Sequence, residues 1–491
     1  MKKYFFKSFI LLLSGGLFFT SCKKQLAIEP FQSISEETAL NSAENIESAL
    51  NAVYGRHRAV SQYGRDKLAL SDALADIAQA TGKSGRLQPE NRNQINLHFS
   101  FWANAYTTIN NINLILEAIP NVNAPAATKD RWEGELRFLR ALQYHDLAKT
   151  YAYDTTAVVQ QNYRGNVVLT LKAFKDATGA SGFLPSRTST KEVYDAIYAD
   201  LNVASAKLTA TRGVYYATRP ASQALFSRIA LYYGDWSKSI TEATVAIASA
   251  SGVGASLQTG ANYVAGWRAL RNPESIFEIR FNIQNENIGV NESLQTSYTT
   301  LLTPGNNTTT AGFGDLVPNN FLLGELGIVA GAFPAITRGP DVRNQLYEWG
   351  TSGRGTRFVE TTKFIGKSGF PNLDNVPVIR VPELYLNRAE AYYKRNTGGD
   401  QALALADVNL IRTNRGLATV AFTGQALFDE ILRQRFLEYA FEGHRWFDLK
   451  RNGLDVVKTP ATIPFNDVRI LAPIPQREID GNPNMKQNAG Y

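Results

Sequence analysis

Apolar residues spaced three and four positions apart occur in neighbouring pairs of segments, and this arrangement restricts the fold more than any other feature. In the first segment Leu40, Ala43, Leu50 and Tyr54 form a stripe that only Glu47 interrupts. Such spacing predicts amphipathic helices that each bury one face. The segments with this apolar spacing are 40–54, 99–116, 132–147, 193–208, 219–234, 236–250, 381–396, 400–415 and 426–443.

Paired helices of this kind bury their faces by stacking on the next pair. Long inserts separate the pairs without a strict period, which favours a helical scaffold with long loops over a regular repeat array. Residues 252–380 differ, because 277–281 and 358–365 alternate apolar and polar residues as strands do. Polar inserts at 80–97 and 284–312 have the length of functional loops. The chain is therefore predicted to be mainly α, with long loops and a minor β-containing segment.

The N-terminus has the three parts of a secretory signal in residues 1–21: basic residues, a short apolar run and small residues. The apolar run is too short to span a bilayer. Cys22, the only cysteine of the chain, follows directly and resembles the lipid-modified cysteine of bacterial lipoproteins. Such a cysteine carries a diacylglyceryl thioether and an N-acyl chain of the palmitate type, and several acyl chains anchor a protein firmly. A plain signal peptide or a buried helix is the alternative.

Composition excludes several classes of protein. The formal net charge is +7 and falls to +4 once Lys2, Lys3 and Lys7 leave with the signal segment, which does not favour nucleic-acid binding. A single cysteine excludes a disulfide framework and a thiolate zinc site. No metal or other cofactor is predicted.

Catalytic motifs are missing from the sequence. It contains no H-E-x-x-H, no phosphate-binding loop and no G-x-S-x-G. Asp72 and Asp76 are spaced to share a helix face, and glycoside hydrolysis needs two carboxylates at a set separation, but one such spacing is expected by chance. The four histidines, His57, His98, His145 and His444, lie far apart in the sequence. No catalytic residue is therefore predicted.

Charged and aromatic residues are dense in the segment 436–451. Buried arginine–carboxylate pairs with aromatic packing would explain this composition, and we favour that structural interpretation over a ligand site. The charged residues of the segment are Glu438, Glu442, Arg445, Asp448 and Arg451.

Aromatic and amide side chains in the inserts are the candidates for ligand binding. Sugar rings have apolar faces that stack on aromatic side chains and hydroxyl groups that bind polar ones, although peptides use similar residues. Trp267 and Tyr298 are the first choices, followed by Phe313 and Phe321. Arg86 and Asn91 are expected at the rim, and the remaining candidates are Asn93, Phe333 and Trp349.

Two segments near the C-terminus carry the most specific motifs. They are ILRQRFLEYAFEGHRWFDLKRNG at 431–453 and LAPIPQREIDGNPNMKQNAGY at 471–491. With them, the chain resembles the SusD/RagB family of surface nutrient-binding lipoproteins of Bacteroidetes-type bacteria, although Gln434 replaces the family's Glu. The resemblance runs over nearly the whole length, and its other parts are 49–58, 70–78, 102–120, 134–152, 272–281, 380–395, 405–416 and the pair Asp341 and Arg343.

The resemblance implies tetratricopeptide-like helix pairs that form a right-handed scaffold behind a loop-rich ligand face. It implies a non-catalytic protein on the outer membrane, facing outwards, that passes glycans or peptides to a SusC-like TonB-dependent barrel. It does not assign any ligand-binding residue, because the family motifs lie in the scaffold. The expected division is a signal peptide at 1–21, a helical region at 22–250, a loop-rich segment at 251–380 and a C-terminal helical region at 381–491, with 251–491 forming one domain.

Two other functions remain open at this stage. An anchored envelope hydrolase would need a cleft with paired carboxylates. A helical-repeat adaptor that binds only protein would need a continuous groove without aromatic loop platforms.

Overall fold

The computed structural model describes residues 39–281, 286–367 and 369–491. The predicted signal segment 1–21 and Cys22 lie outside these residues. So do residues 23–34, whose polar composition and Pro30 predict a tether. Within the described ranges, no helix is long and apolar enough to cross a membrane.

Helices dominate the described chain, as the apolar spacing predicts. They are α1 (Ala43–Arg56), α2 (Asp66–Leu74), α3 (Gln88–Asn91), α4 (Trp102–Ala118), α5 (Ala126–Tyr151), α6 (Ala177–Ser181), α7 (Thr190–Lys207), α8 (Arg219–Tyr233), α9 (Trp236–Ser249), α10 (Ala261–Arg268), α11 (Leu294–Tyr298), α12 (Asn320–Glu325), α13 (Val381–Arg395), α14 (Asp400–Asn414), α15 (Gly424–Glu438), α16 (Arg445–Arg451) and α17 (Gln476–Gly481).

The long helices stack in a series. Helix α4 packs on α5, α5 on α7, α7 on α8, and α8 on α9. The next helices of the series follow the loop-rich segment 251–380 in the sequence: α9 packs on α13, and α13 packs on α14. Each helix thus covers a face of the next, which is the packing that paired amphipathic helices require. The prediction of a mainly α scaffold of stacked helix pairs is confirmed.

Local signals set the ends of these helices. Ser189 and Glu192 form a capping box at the start of α7, in which each side chain bonds the backbone of the other residue. Helix α8 begins after Thr218, whose side chain accepts a bond from the Ala221 backbone. It ends at Gly234, whose φ of 83° suits glycine better than other residues.

The strands are short and pair two by two. They are β1 (Ala78–Ala80), β2 (Ser275–Ile279), β3 (Leu316–Pro318), β4 (Ile328–Ala330), β5 (Ile336–Arg338), β6 (Tyr347–Trp349), β7 (Val359–Thr361) and β8 (Val376–Arg380). All the pairs are antiparallel, joining β1 to β3, β2 to β8, β4 to β5 and β6 to β7. Within the segment 358–365, whose residues alternate between apolar and polar, the strand is therefore limited to the three residues of β7.

Strand β2 confirms the strand predicted from the alternating residues, and it is buried along its whole length. All five of its residues are buried, including Glu278, because β2 pairs with β8 and packs against helix α8. The hairpin formed by β6 and β7 projects the loop 350–358, most of which is exposed. This loop, together with 301–315 and 331–338, forms the surface described next.

Candidate ligand-binding surface

Trp267 is not the exposed platform that the sequence predicts. It lies on helix α10, only 2% exposed, and its ring meets the Phe364 ring edge-on at 5.8 Å. The helix packs tightly here, since a Cβ atom added at Gly266 would lie 2.9 Å from the Pro273 ring. The prediction was wrong because the segment that carries Trp267 is a buried helix, not a loop.

Tyr298 is buried as well, at 0% exposure on the short helix α11. Ser293 caps this helix by accepting a bond from the Thr296 backbone. The Tyr298 hydroxyl donates to Asp72 Oδ2 at 2.7 Å, so the residue joins the insert to helix α2. The prediction of a platform at Tyr298 was therefore also wrong, and Asp72 is tied to a structural bond.

The bond between Tyr298 and Asp72 leads to a prediction for the pH dependence of stability. Burial raises the pKa of Asp72 to about 8, although bonds from Tyr298 and the Gly443 backbone lower it. A carboxyl whose pKa is raised on folding favours the native state at low pH, and this contribution is lost as pH rises through the folded-state pKa. We expect Asp72→Asn to stabilise the protein increasingly between pH 4 and pH 8 relative to wild type, as measured by thermal unfolding. Equal pH profiles would contradict this.

Asn91 and Asn93 have structural partners. The Asn91 amide donates to the carbonyl oxygens of Ala73 and Ala78 at 2.9 and 3.1 Å, and its oxygen accepts from the Ala80 amide. The Asn93 side chain is buried and donates to the Leu74 carbonyl. Because Asn91 ties α2 to β1, it holds the first insert in place and has no donor left for a rim contact.

Three other sequence candidates lie nearer to solvent. Phe321 is 58% exposed on α12, with its ring 5.5 Å from that of Phe436. Phe313 is half-buried, and the guanidinium of Arg86 lies 4.2 Å from its ring centre. Arg86 also pairs with Asp315 at 3.2 Å.

Phe313 belongs to a surface that joins three loops, which we call the arginine–aromatic surface. Its members are Phe313, Phe333, Trp349, Arg354 and Arg357. The Arg354 guanidinium lies 3.7 Å from the centre of the Phe313 ring, and that of Arg357 lies 4.1 Å from the Phe333 ring. Cation–π contacts of this kind hold the aromatic rings and the guanidinium groups in fixed positions.

Phe333 and Trp349 provide the most accessible aromatic area of this surface. Their rings stand at 81° with centres 6.2 Å apart, and Phe333 is 43% exposed. The Trp349 indole donates to the Ala335 carbonyl at 3.1 Å, which fixes the ring. A cavity of about 290 Å³ adjoins the pair, lined by Gly305, Asn307, Pro334, Ile336, Arg338, Gln345, Glu348 and Trp349. Aromatic area beside amide and charged groups is suited to holding a polar ring.

A second cavity, of about 650 Å³, lies between helix α4 and the segment 174–185. Its aromatic lining is largely committed to the fold. Trp102 is 2% exposed, and the Tyr106 hydroxyl donates to the Val168 carbonyl. Phe183, at 40% exposure, is its accessible ring. Much of the aromatic lining of this cavity is therefore unavailable for stacking on a ligand.

The charged segment 436–451 contributes to buried ion pairs, as predicted. Two of its acids, Glu438 and Glu442, belong to a group that we call the central ion network. In this network four cationic side chains face four carboxylates, and all are buried. The members are Glu274, Asp341, Arg343, Lys363, Arg380, Arg415, Glu438 and Glu442.

The other charged residues of this segment have separate partners. Arg451 pairs with Glu390 and Asp448 in the core. Arg445 forms a two-bond pair with Asp76, both bonds being 2.7 Å, and stays partly exposed. Asp76 is therefore engaged by an arginine and does not face Asp72 across a cleft. All four histidines are tied into the fold, with pKa values that burial lowers.

Stacked helix pairs with long loops and few short strands define a non-repetitive helical scaffold protein. The family model described as "SusD family" matches residues 338–461, and the model described as "Starch-binding associating with outer membrane" matches residues 28–233. The chain belongs to the SusD/RagB family, which confirms the resemblance seen in its motifs.

One curated relative matches almost the whole chain, and another matches about a quarter of it. SusD-like protein P38 of Formosa agariphila is 24% identical over 99% of this chain and 98% of its own length. The starch-binding protein SusD of Bacteroides thetaiotaomicron is 34% identical, over 26% of this chain and 24% of its own length. A crystal structure of a putative sugar binding protein from Bacteroides vulgatus superposes with a TM-score of 0.77 at 26% identity, covering 92% of this chain and 100% of that protein.

Proposed function

We propose that this protein binds glycans at the arginine–aromatic surface and does not cleave them. The observation that carries the proposal is the exposed Phe333 ring, fixed against Trp349 beside a cavity with amide and charged groups. The relatives support a carbohydrate ligand, since one of them is a starch-binding protein. The carboxylates singled out in the sequence support binding without turnover, because Asp72 and Asp76 are held by Tyr298 and Arg445.

We further propose that the protein works at the outer membrane, anchored through lipid on Cys22 and facing outwards. Residues 23–34 would form the tether, and a SusC-like TonB-dependent barrel would receive the glycan. The family description of starch binding in association with the outer membrane supports this location. A shared membrane anchor raises the local concentration of two partners, so the direct interface with the barrel need not be strong.

The anchor can be tested alone. We expect Cys22→Ala to move the protein from the membrane to the soluble fraction with its thermal unfolding unchanged, because the lipid lies outside the folded core. Fractionation should use a host without the neighbouring barrel, since the barrel could retain the protein. A variant that stays with membranes in detergent-free buffer would contradict the lipid assignment.

The binding proposal is tested with the full-length lipoprotein in mild detergent. We expect calorimetry against a panel of oligosaccharides to find a ligand, and chromatography afterwards to recover that ligand at its original length. Binding of peptides without any glycan would favour the peptide alternative. Shortened products would favour the hydrolase.

A further inference from the structure

Each acidic residue around the arginine–aromatic surface has its own basic partner. Three pairs show this: Asp315 with Arg86 at 3.2 Å, Glu360 with Lys83 at 3.3 Å, and Glu348 with Arg268 at 3.8 Å. Glu348 also accepts a bond of 2.6 Å from the Gly305 backbone. Asp341, a little further along the chain, pairs with Arg343. The acids of this region are therefore already neutralised.

Three arginines of the same region form no ion pair with a carboxylate among the described residues, although Glu348 lies in the same cavity as Arg338 and interacts with its charge. Arg354 donates to the Gly312 carbonyl at 2.8 Å. Arg357 donates to the carbonyls of Gly350 and Asn307 at 2.6 and 3.1 Å. Arg338 donates to the carbonyls of Asn344 and Tyr347.

Carbonyl partners orient a guanidinium without cancelling its charge. The three arginines thus carry a surplus of positive charge beside the aromatic rings, and such a local field attracts anions. Arg354 uses only one of its five N–H groups in a described hydrogen bond, so the others can donate to a ligand. A guanidinium matches the planar oxygens of carboxylate and the oxygens of sulfate or phosphate with two parallel bonds.

The positions of these groups suit a ring that carries an anionic substituent. Arg357 lies over Phe333, and Arg338 lines the cavity that adjoins Trp349. Arg354 lies over Phe313 in an exposed part of the hairpin loop. A sugar ring that stacks on the aromatic area would thus place its substituents near fixed cationic groups.

We infer that the ligand of the arginine–aromatic surface is an anionic glycan, one that bears sulfate esters or carboxylate groups. The inference rests on the proposed glycan-binding function and names the class of glycan. Sulfate and uronate groups share the chemistry that Arg338, Arg354 and Arg357 recognise, so the experiment must separate the two.

The test uses the full-length lipoprotein in mild detergent with two matched pairs of oligosaccharides. One pair is a sulfated galactan oligosaccharide and its desulfated form, and the other is a uronate oligosaccharide and its carboxyl-reduced form. We expect at least one anionic form to bind about tenfold or more tightly than its neutral partner. This affinity ratio should become smaller when NaCl is raised from 50 to 300 mM, because salt shortens the distance over which charges attract each other. The pair that shows the ratio identifies the anionic group.

Variants assign the effect to the surface. Arg354→Gln and Arg357→Gln are expected to weaken binding of the anionic form about tenfold while leaving that of the neutral form within about twofold. Arg219→Gln is the matched control, because Arg219 is an exposed arginine on helix α8 whose side chain bonds just one backbone carbonyl within the described residues. It should leave both affinities unchanged. Thermal unfolding of each variant shows whether its fold is retained.

The possible outcomes separate the inference from the proposed function. Equal affinity for charged and neutral forms would overturn the anionic inference and leave glycan binding standing. Binding of no glycan in either pair or in the wider panel would overturn glycan binding itself. If an arginine variant fails to fold, the salt dependence of the wild-type protein still decides, because a ratio that does not change with salt contradicts the inference.

Discussion

The Arg380→Met protein is expected to lose about 3–5 kcal/mol in its free energy of unfolding, the range found when one partner of a buried ion pair is removed. Arg380 is 2% exposed and donates to carboxylate oxygens of Glu274, Glu438 and Glu442 at 2.7 to 3.0 Å. Since the central ion network balances four cations against four carboxylates, this change leaves one buried negative charge uncompensated. Chemical denaturation monitored by tryptophan fluorescence would measure the loss.

The electrostatics of Glu438 explain why this site is sensitive. Although burial by itself raises the pKa of the Glu438 carboxyl, the guanidinium groups of Arg415 and Arg380 hold it well below its ordinary value. The carboxylate therefore stays charged in the core and depends on its partners. Removing Arg380 takes away one of the guanidinium groups that stabilise the Glu438 carboxylate, at a buried position where water cannot take the place of that group.

Arg445→Met is the matched control for Arg380→Met. Arg445 also forms a two-bond pair with a carboxylate, but its side chain is 16% exposed, and Asp76 is its one acidic partner in the part of the chain that the structure describes. Because Arg445 is partly exposed and the charge of Lys458 still acts on Asp76, we expect a smaller loss of stability than for Arg380→Met. Similar losses in the two variants would show that an arginine of the central ion network contributes no more to the free energy of unfolding than the arginine of a separate ion pair.

The sequence predicted the helical scaffold well because repeated apolar spacing over several turns reports which face is buried. In α7, the residues Val193, Ile197, Leu201 and Ala204 repeat at three and four positions, and all four are buried. Such local spacing does not indicate which segments pair over longer distances in the sequence. The return of β8 to pair with β2 is an example, and Glu278 of β2 is buried although it is a charged residue.

The site was predicted less well, for a reason that lies in the length of its elements. Trp267 and Tyr298 belong to helices of eight and five residues, which are too short to show a helical period. Their aromatic residues therefore looked like residues of a loop. Phe333 and Trp349 were among the sequence candidates, but they were ranked below the two buried residues.

Arg338, Arg354 and Arg357 were missed altogether. A single arginine in a loop has no periodic signal, and its importance depends on which acids lie nearby in space. One local signal was available, since Arg354 and Arg357 fall within TSGRGTRF at 351–358, which contains two arginines and no acid. The absence of an internal counter-charge in an exposed loop is a readable sign of positive potential. The domain division at residue 250 or 251 stays a prediction.

Phe333→Ala is expected to weaken binding of the glycan that the wild-type protein recognises by about 30-fold in Kd, which corresponds to about 2 kcal/mol for an accessible aromatic anchor. The reason is that Phe333 is the exposed ring of the arginine–aromatic surface, held by Arg357 on its face and by Trp349 at its edge. Its removal takes away stacking area and also the surface on which Arg357 rests.

The matched control is Phe183→Ala, because Phe183 is 40% exposed and Phe333 is 43% exposed, while Phe183 borders the other, larger cavity. Both changes remove one ring of similar exposure, so both should alter stability only slightly. Calorimetry with the same oligosaccharide separates the two sites. Loss of affinity in Phe333→Ala alone supports the arginine–aromatic surface. Loss in Phe183→Ala alone would place the glycan between α4 and the segment 174–185, where Phe183 is the ring open to a ligand.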